Sequence, residues 1–419
     1  MEVNFEGNEQ RALLGGDLNS SVPWAEDDRW WVRIPAQHTL YYLEVFRTML
    51  YSFWNDKTLA LLICVPFALL ADPPTWCAKW TFAFNYISLI ALESRFISTA
   101  EWIWLFSSPT VSTVLTEALP HVFPLMVGIT SIIYEEISLV QSFIIGSLIT
   151  NLLMVSSPGT GLSWLIGGLR FRSQSAPTTS MQSIAALTML TVFPFIPPTF
   201  ISPLYKLDPE NTALFTLTIT ETVVMLMIYV MWLWFRYQSH VELFEWENAW
   251  DDNSPPGDHR LTGQRALPIP SRLTYIFWLI FILALSIQCS VNLIQTIPKF
   301  VQATSMSRLF IGATLLPFTS SLSNFAKTCV IAYDDRMGLV MHLTAETALG
   351  VGFFNLPALI IVSICIGHPM LLEFDIFLEV SLFITVFMAA ISVQTAVFNY
   401  LKGAMNLALY GPPSYPQMT

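Results

Sequence analysis

Charge is what this 419-residue sequence has least of. Only 12% of its residues are Asp, Glu, Lys or Arg, 54% are hydrophobic, and the mean hydropathy is +0.56. A soluble domain carries about a quarter of its residues as charges, so that class is excluded. No basic patch is present, which removes nucleic acid as a partner. Cysteine is scarce too. Cys64, Cys77, Cys289, Cys329 and Cys365 lie in or beside apolar segments without CxxC spacing or histidine partners, so they read as packing residues. The amino end has no basic stretch leading into an apolar core, so no cleavable signal peptide is predicted. No cofactor motif and no metal-ligand spacing is found. The formal net charge of −11 comes mostly from the ends and loops and says little about partners.

What is abundant is apolar sequence in segments near the roughly twenty residues that cross a bilayer. Candidate spans are 58–71, 80–104, 111–133, 137–155, 181–200, 211–235, 272–297, 310–332, 338–366 and 376–398. They predict an all-α integral membrane protein of about ten helices, with lipid as its surroundings. Pro357 is expected to kink the long 338–366 segment. Residues 1–47 form a polar segment whose Trp30-Trp31 pair suits the headgroup region. Residues 48–239 form a first helical unit, 240–271 an acidic then Pro-rich loop, 272–411 a second helical unit and 412–419 a short tail. Arginines gather around 167–173, 236–272 and 334–336, which by the positive-inside rule puts those loops and the amino terminus on the cytoplasmic side.

The chain is organised around one stretch, LFIGATLLPFTSSLSNFAKTCVIAYDDRMGLVMHLTAETALGVGFF, residues 309–354. Lys327, His342 and Glu346 lie inside its apolar segments, among Ser320, Ser321, Ser323, Asn324, Thr344 and Thr347. Ionisable groups at membrane depth are costly and mark a pathway or site. His342 and Glu346 are spaced to share one helical face, and so are Glu117 and His121 earlier in the chain. Lys327 and Glu346 suit two readings: a buried structural ion pair, or a working proton or substrate site at Glu346 and His342.

FIGATLLP followed by AYDDRM resembles the second signature helix of the calcium/proton exchangers, the CAX-type antiporters. ISLVQSFIIGSLITNLLMV with GGLRFRSQ resembles the first-repeat segment of that family, and QSHVELFE the end of its sixth helix. The resemblance covers about residues 58–408. It implies two inverted repeats of a sodium/calcium exchanger-like fold, an endomembrane (vacuolar-type) location, and a site where the repeats meet at mid-membrane. The family's two metal-binding glutamates fall on Pro124 and Asn324, its GSSxQ on Glu346 to Gly350. Its first-repeat GSxxxN is retained as Gly146, Ser147 and Asn151. A seventh-helix acidic pair falls on Val291 and Gln295, with its first-repeat counterpart retained as Glu101.

Calcium takes six to eight hard oxygens, which proline cannot supply and neutral asparagine supplies poorly. The candidate catalytic residues are therefore Glu346, His342 and Lys327. The candidate substrate-binding residues are Asn324, Ser321, Ser323, Thr347, Asn151, Ser147, Glu117, His121 and Glu101. Three functions remain open from the residues: a carrier of altered specificity for an unidentified small molecule or ion, an intramembrane enzyme cyclising a lipophilic, terpenoid-like substrate, or a non-transporting regulator.

Overall fold

The computed structural model describes residues 59–71, 76–105, 109–155, 160–198, 212–241 and 272–410. All of them belong to one compact unit. The polar amino-terminal segment, most of the 240–271 loop and the 412–419 tail lie outside the described residues.

In lipid no water pairs the backbone, so each span must satisfy its own N–H and C=O groups, and an α-helix does so. After a short turn at Leu59–Leu62 come α1 (Cys64–Leu70), α2 (Ala78–Leu105), α3 (Pro109–Ile133) and α4 (Ile137–Ile149). α5 (Thr160–Phe171), β1 (Ser173–Ser175), α6 (Thr178–Leu190) and α7 (Thr212–Trp234) follow. The second unit contains α8 (Arg272–Thr304), α9 (Leu316–Tyr333), α10 (Met337–Gly350), α11 (Leu356–Ile366) and α12 (Ile376–Gln394). It closes with β2 (Val397–Asn399) and α13 (Tyr400–Tyr410).

By length and hydropathy, five helical stretches among the described residues can cross a membrane, or six if the bent 308–333 pair counts as one. The expected spans 58–71, 80–104, 111–133 and 137–155 are not among them. α2 is 28 residues long but carries Glu93, Arg95 and Glu101 close together, and the apolar parts of α3 and α4 are short. Exposed Met227, Val230 and Met231 on α7, and Phe383, Ile384 and Phe387 on α12, are apolar faces suited to lipid. The protein is a multi-pass membrane protein.

Two helical hairpins repeat one another 200 residues apart. α3 turns into α4 through Tyr134–Glu136, and α9 into α10 through Asp334–Arg336, so the second helices open at Ile137 and Met337. Glu135 and Asp335 both take a left-handed φ, 60° and 61°. The backbone bonds match as well: Glu136 N to Ser131 O at 3.0 Å, and Arg336 N to Ile331 O at 3.2 Å.

π-Helical turns interrupt both units, at Thr150–Val155, Ile311–Leu315 and Val351–Asn355. Two of them have a common cause. Pro317 and Pro357 each lack an N–H and crowd the carbonyl four residues earlier, which is Ala313 or Phe353 at the centre of the π turn. The kink expected at Pro357 therefore begins one turn before it. α9 bends by 61° between Leu322 and Lys327. Upstream of that bend, Thr319 and Ser320 bond back to the carbonyls of Leu316 and Pro317, a habit that bends helices.

Packing follows two apolar clusters. One joins α2, α3 and α8 around Leu89, Phe96, Phe123 and Leu293, with Phe82 and Phe300 stacked at 4.0 Å. The other joins α4, α5, α6, α10, α11 and α12 around Ile144, Trp164, Met341 and Leu356. The α4 hairpin arm crosses the 311–315 turn so closely that a Cβ at Gly146 would lie 2.1 Å from the Ala313 carbonyl oxygen. β1 and β2 pair antiparallel, Gln174 opposite Phe398. Gln174 and Arg170 reach the second turn: Gln174 Nε2 donates to Asp335 Oδ1 at 2.7 Å, and Arg170 Nη1 to the Tyr333 carbonyl at 2.7 Å. The 167–173 and 334–336 segments thus sit together, as their shared arginines suggested.

Candidate functional site

A cavity of about 370 Å³ opens where α2, α3, α9 and α10 meet. Its walls include Glu117 and His121 from the first hairpin, and Asn324, Lys327, Glu346 and Thr347 from the second. Six of the sequence-derived site residues therefore line one space. Ile97, Ala100, Leu115, Leu119, Pro120, Ile331 and Leu343 give the rest an apolar surface.

His121 is held by the opposite repeat. Its ring occupies the space that Gly350 leaves, since a Cβ there would lie 1.9 Å from His121 Cε1, and Phe354 stands 5.7 Å from the ring. The residue is 3% exposed, and its Nδ1 is buried without a hydrogen-bond partner. A buried, unpaired ring nitrogen is costly unless something else meets it.

Ser321 and Asn151 lie deeper and join the hairpins through a 3.4 Å hydrogen bond from Ser321 Oγ to Asn151 Oδ1. Ser147 is buried beside them in sequence, and its Oγ finds no partner. These three do not line the cavity. His342 is on α10 and Glu101 on α2, while Ser323 is on α9 at the bend; their side chains are outside the described set.

The residue missed by sequence reasoning is Arg236. Grouped there with the loop cations, it instead sits in the π-helical turn Phe235–Ser239 that ends α7, with its side chain 11% exposed. Its Nη1 donates to Glu117 Oε1 at 2.9 Å and forms an ion pair with Glu346 Oε1. One guanidinium nitrogen therefore joins a carboxylate from each hairpin. The Tyr237 hydroxyl donates to the same Glu117 oxygen. Arg236 thus leaves the loop tally, because a buried, paired arginine says little about the positive-inside bias.

Glu93 on α2 is 2% exposed and lies close enough to Lys327 for their charges to attract. The Lys327–Glu346 pair alone thus leaves out Arg236 and Glu93. The signal for Arg236 was one cation directly after the apolar run WLWF, which reads equally well as an interface anchor.

In chemical terms the site is a set of interlocked charges at the meeting of two repeats. Among the described residues, no three His, Cys, Asp or Glu side chains converge as a metal ion would require.

The profile of the sodium/calcium exchanger protein family matches residues 274–412. The vacuolar calcium ion transporter of Schizosaccharomyces pombe is 27% identical over 351 residues, covering 84% of this chain and 82% of its own. The vacuolar cation/proton exchanger 1a of Oryza sativa subsp. japonica is 27% identical over 366 residues, covering 85% and 79%. Among solved structures, native YfkE matches with a TM-score of 0.68 at 19% identity, over 85% of this chain and 97% of that one. This likeness shows a shared fold.

Proposed function

We propose that this chain, which belongs to the CAX-type calcium/proton exchanger family, is a carrier of altered specificity and not an ordinary calcium/proton antiporter. The observation that carries the reading is Arg236 Nη1 between Glu117 and Glu346. A divalent cation would have to replace a permanent positive charge tied into the same carboxylates, and arginine does not deprotonate in proteins. Lys327 adds a second cation to the cavity wall, and it repels a divalent ion twice as strongly as a monovalent one at the same distance. The two positions that match the family's glutamates add no carboxylate: Pro124 is buried in α3, and Asn324 offers only a neutral amide.

The transport part of the reading rests on the paired hairpins. Carriers of this kind rock one repeat against the other around a shared site. Here Ser321–Asn151, His121–Gly350 and the Arg236 bridge all cross between repeats, so each must change partners in such a motion. A vacuolar-type membrane is the proposed location, as the two vacuolar relatives suggest. The cyclase reading gains no support: among the described residues lining the cavity there is no Phe, Tyr or Trp, the rings that best stabilise a carbocation.

The test is calcium uptake by purified protein in liposomes with an imposed proton gradient, beside an active relative. The expected result is uptake at the level of empty liposomes. Gradient-driven uptake that Asn151→Ala abolishes would overturn the proposal.

A further inference from the structure

We propose that Glu117 and Glu346 form a binding site for a small organic cation of the guanidinium or ammonium class, with Arg236 as its tethered occupant. The inference deepens the carrier reading and rests on it for the ligand's onward movement, though not for its binding.

The contact atoms define the ligand's head. A single nitrogen, Arg236 Nη1, meets Glu117 Oε1 and Glu346 Oε1 together. The two carboxylates therefore ask for one positively charged N–H donor group, which a primary ammonium supplies as well as a guanidinium. Tyr237 fixes the rotation of Glu117 by donating to the same oxygen.

The walls define the ligand's body. A bare ion needs only a shell of oxygens, whereas a volume of about 370 Å³ falls in the range of small-molecule pockets. The apolar walls at Ile97, Leu115, Leu119 and Leu343 suit hydrocarbon rather than hydrated metal. His121 adds an independent sign of a ligand. It is a buried residue of the cavity wall with one ring nitrogen unpartnered.

The occupant is movable because of where it is attached. Arg236 belongs to neither hairpin; it rides on the π-helical last turn of α7, a geometry that occurs as single turns and often at functional sites. A tethered group competes with a free ligand at an effective concentration of roughly millimolar. A cationic ligand of similar strength therefore binds weakly to the parent protein and more tightly once Arg236 is shortened.

The experiment uses the full-length protein in nanodiscs, with phenylguanidinium and benzylammonium at up to millimolar concentration and calcium as the third probe. Thermal unfolding is followed for the parent, for Arg236→Ala and for Arg236→Ala with Glu346→Gln. A ligand that binds only the folded state raises the midpoint saturably. Expected is a saturable rise in Arg236→Ala, half-maximal at about a tenth of the parent's concentration, and its loss in the double variant. Equal responses in all three proteins, or none in Arg236→Ala, overturn the site. If Arg236→Ala does not fold, binding of labelled phenylguanidinium to the parent and to Glu346→Gln decides: equal binding or none overturns it. Calcium uptake by the parent in liposomes would instead refute the carrier reading, so the two failures are told apart.

Discussion

The two hairpins share a backbone and divide the chemistry between them. Residues 200 apart occupy equivalent places relative to the matching turns, yet inside the helices the charged positions do not coincide. Glu117 of the first hairpin corresponds to Pro317 of the second, and Glu346 of the second to Gly146 of the first. His121 corresponds to Ser321, and Pro124 to Asn324. Where one copy carries a carboxylate, the other carries a residue that shapes backbone: Gly146 permits the close crossing at Ala313, and Pro317 sets the π turn. A symmetric scaffold thus holds an asymmetric site. Its two carboxylates stand at different heights along their helices, and one arginine from a third helix is enough to join them.

The largest expected effect tests that joint. Arg236→Ala leaves Glu117 and Glu346, both mostly buried, without their shared cation, and removing one partner of a buried pair costs about 3–5 kcal/mol in soluble proteins. Thermal unfolding in detergent should show a marked fall for Arg236→Ala. Recovery of most of it is expected in Arg236→Met combined with Glu117→Gln and Glu346→Gln. A single variant as stable as the parent would mean that the bridge does not hold the hairpins together.

The next effect separates equivalent positions. Gly146→Ala forces a methyl group against the Ala313 carbonyl, and overpacking of this kind costs about 1–3 kcal/mol. At the matching position, Glu346→Ala removes atoms from a cavity wall and should cause no such crowding, its cost coming only from the charges left behind. Comparing urea or thermal stability of Gly146→Ala with that of Gly146→Ser sharpens the point, since the larger side chain should be worse. Equal stability of Gly146→Ser and the parent would remove the close crossing as a structural requirement.

The smallest effect compares the turns themselves. Gln174 is buried and bonds to Asp335 and to the Ala332 carbonyl, so Gln174→Ala should cost about 1–2 kcal/mol. The first turn is tied more loosely, by Arg308 to Glu136 at 3.1 Å with the arginine side chain 51% exposed. Arg308→Ala should therefore cost less than about 1 kcal/mol, and less still at high salt. Limited proteolysis at the two turns would read the same ranking, and a reversed order would contradict it.

Much of this organisation was legible in the residues. Hydropathy dictated the membrane class, because apolar runs of that length have no soluble alternative. The first-repeat ISLVQSFIIGSLITNLLMV and the central stretch announced two related hairpins, and Pro357 marked where one helix would lose regularity. Lys327, Glu346, Glu117 and His121 stood out because ionisable groups are rare at that depth, and the cavity indeed gathers them. Ser321 and Asn151, singled out with the site, bond to each other between the hairpins and do not line the cavity.

What periodicity could not supply was partnership. Spacing along one helix says which side chains share a face, so it paired Glu117 with His121 and His342 with Glu346. It is silent on which distant cation arrives from another helix. Arg236 is separated from both of its carboxylates by more than a hundred residues, and only the packing of α7 against the hairpins brings it between them. Charge attraction acts over a few ångströms in three dimensions and ignores chain order. The sequence by itself therefore determined that this protein crosses a membrane as two related hairpins with ionisable groups inside them. The tertiary structure alone decided that a single guanidinium ties those hairpins together.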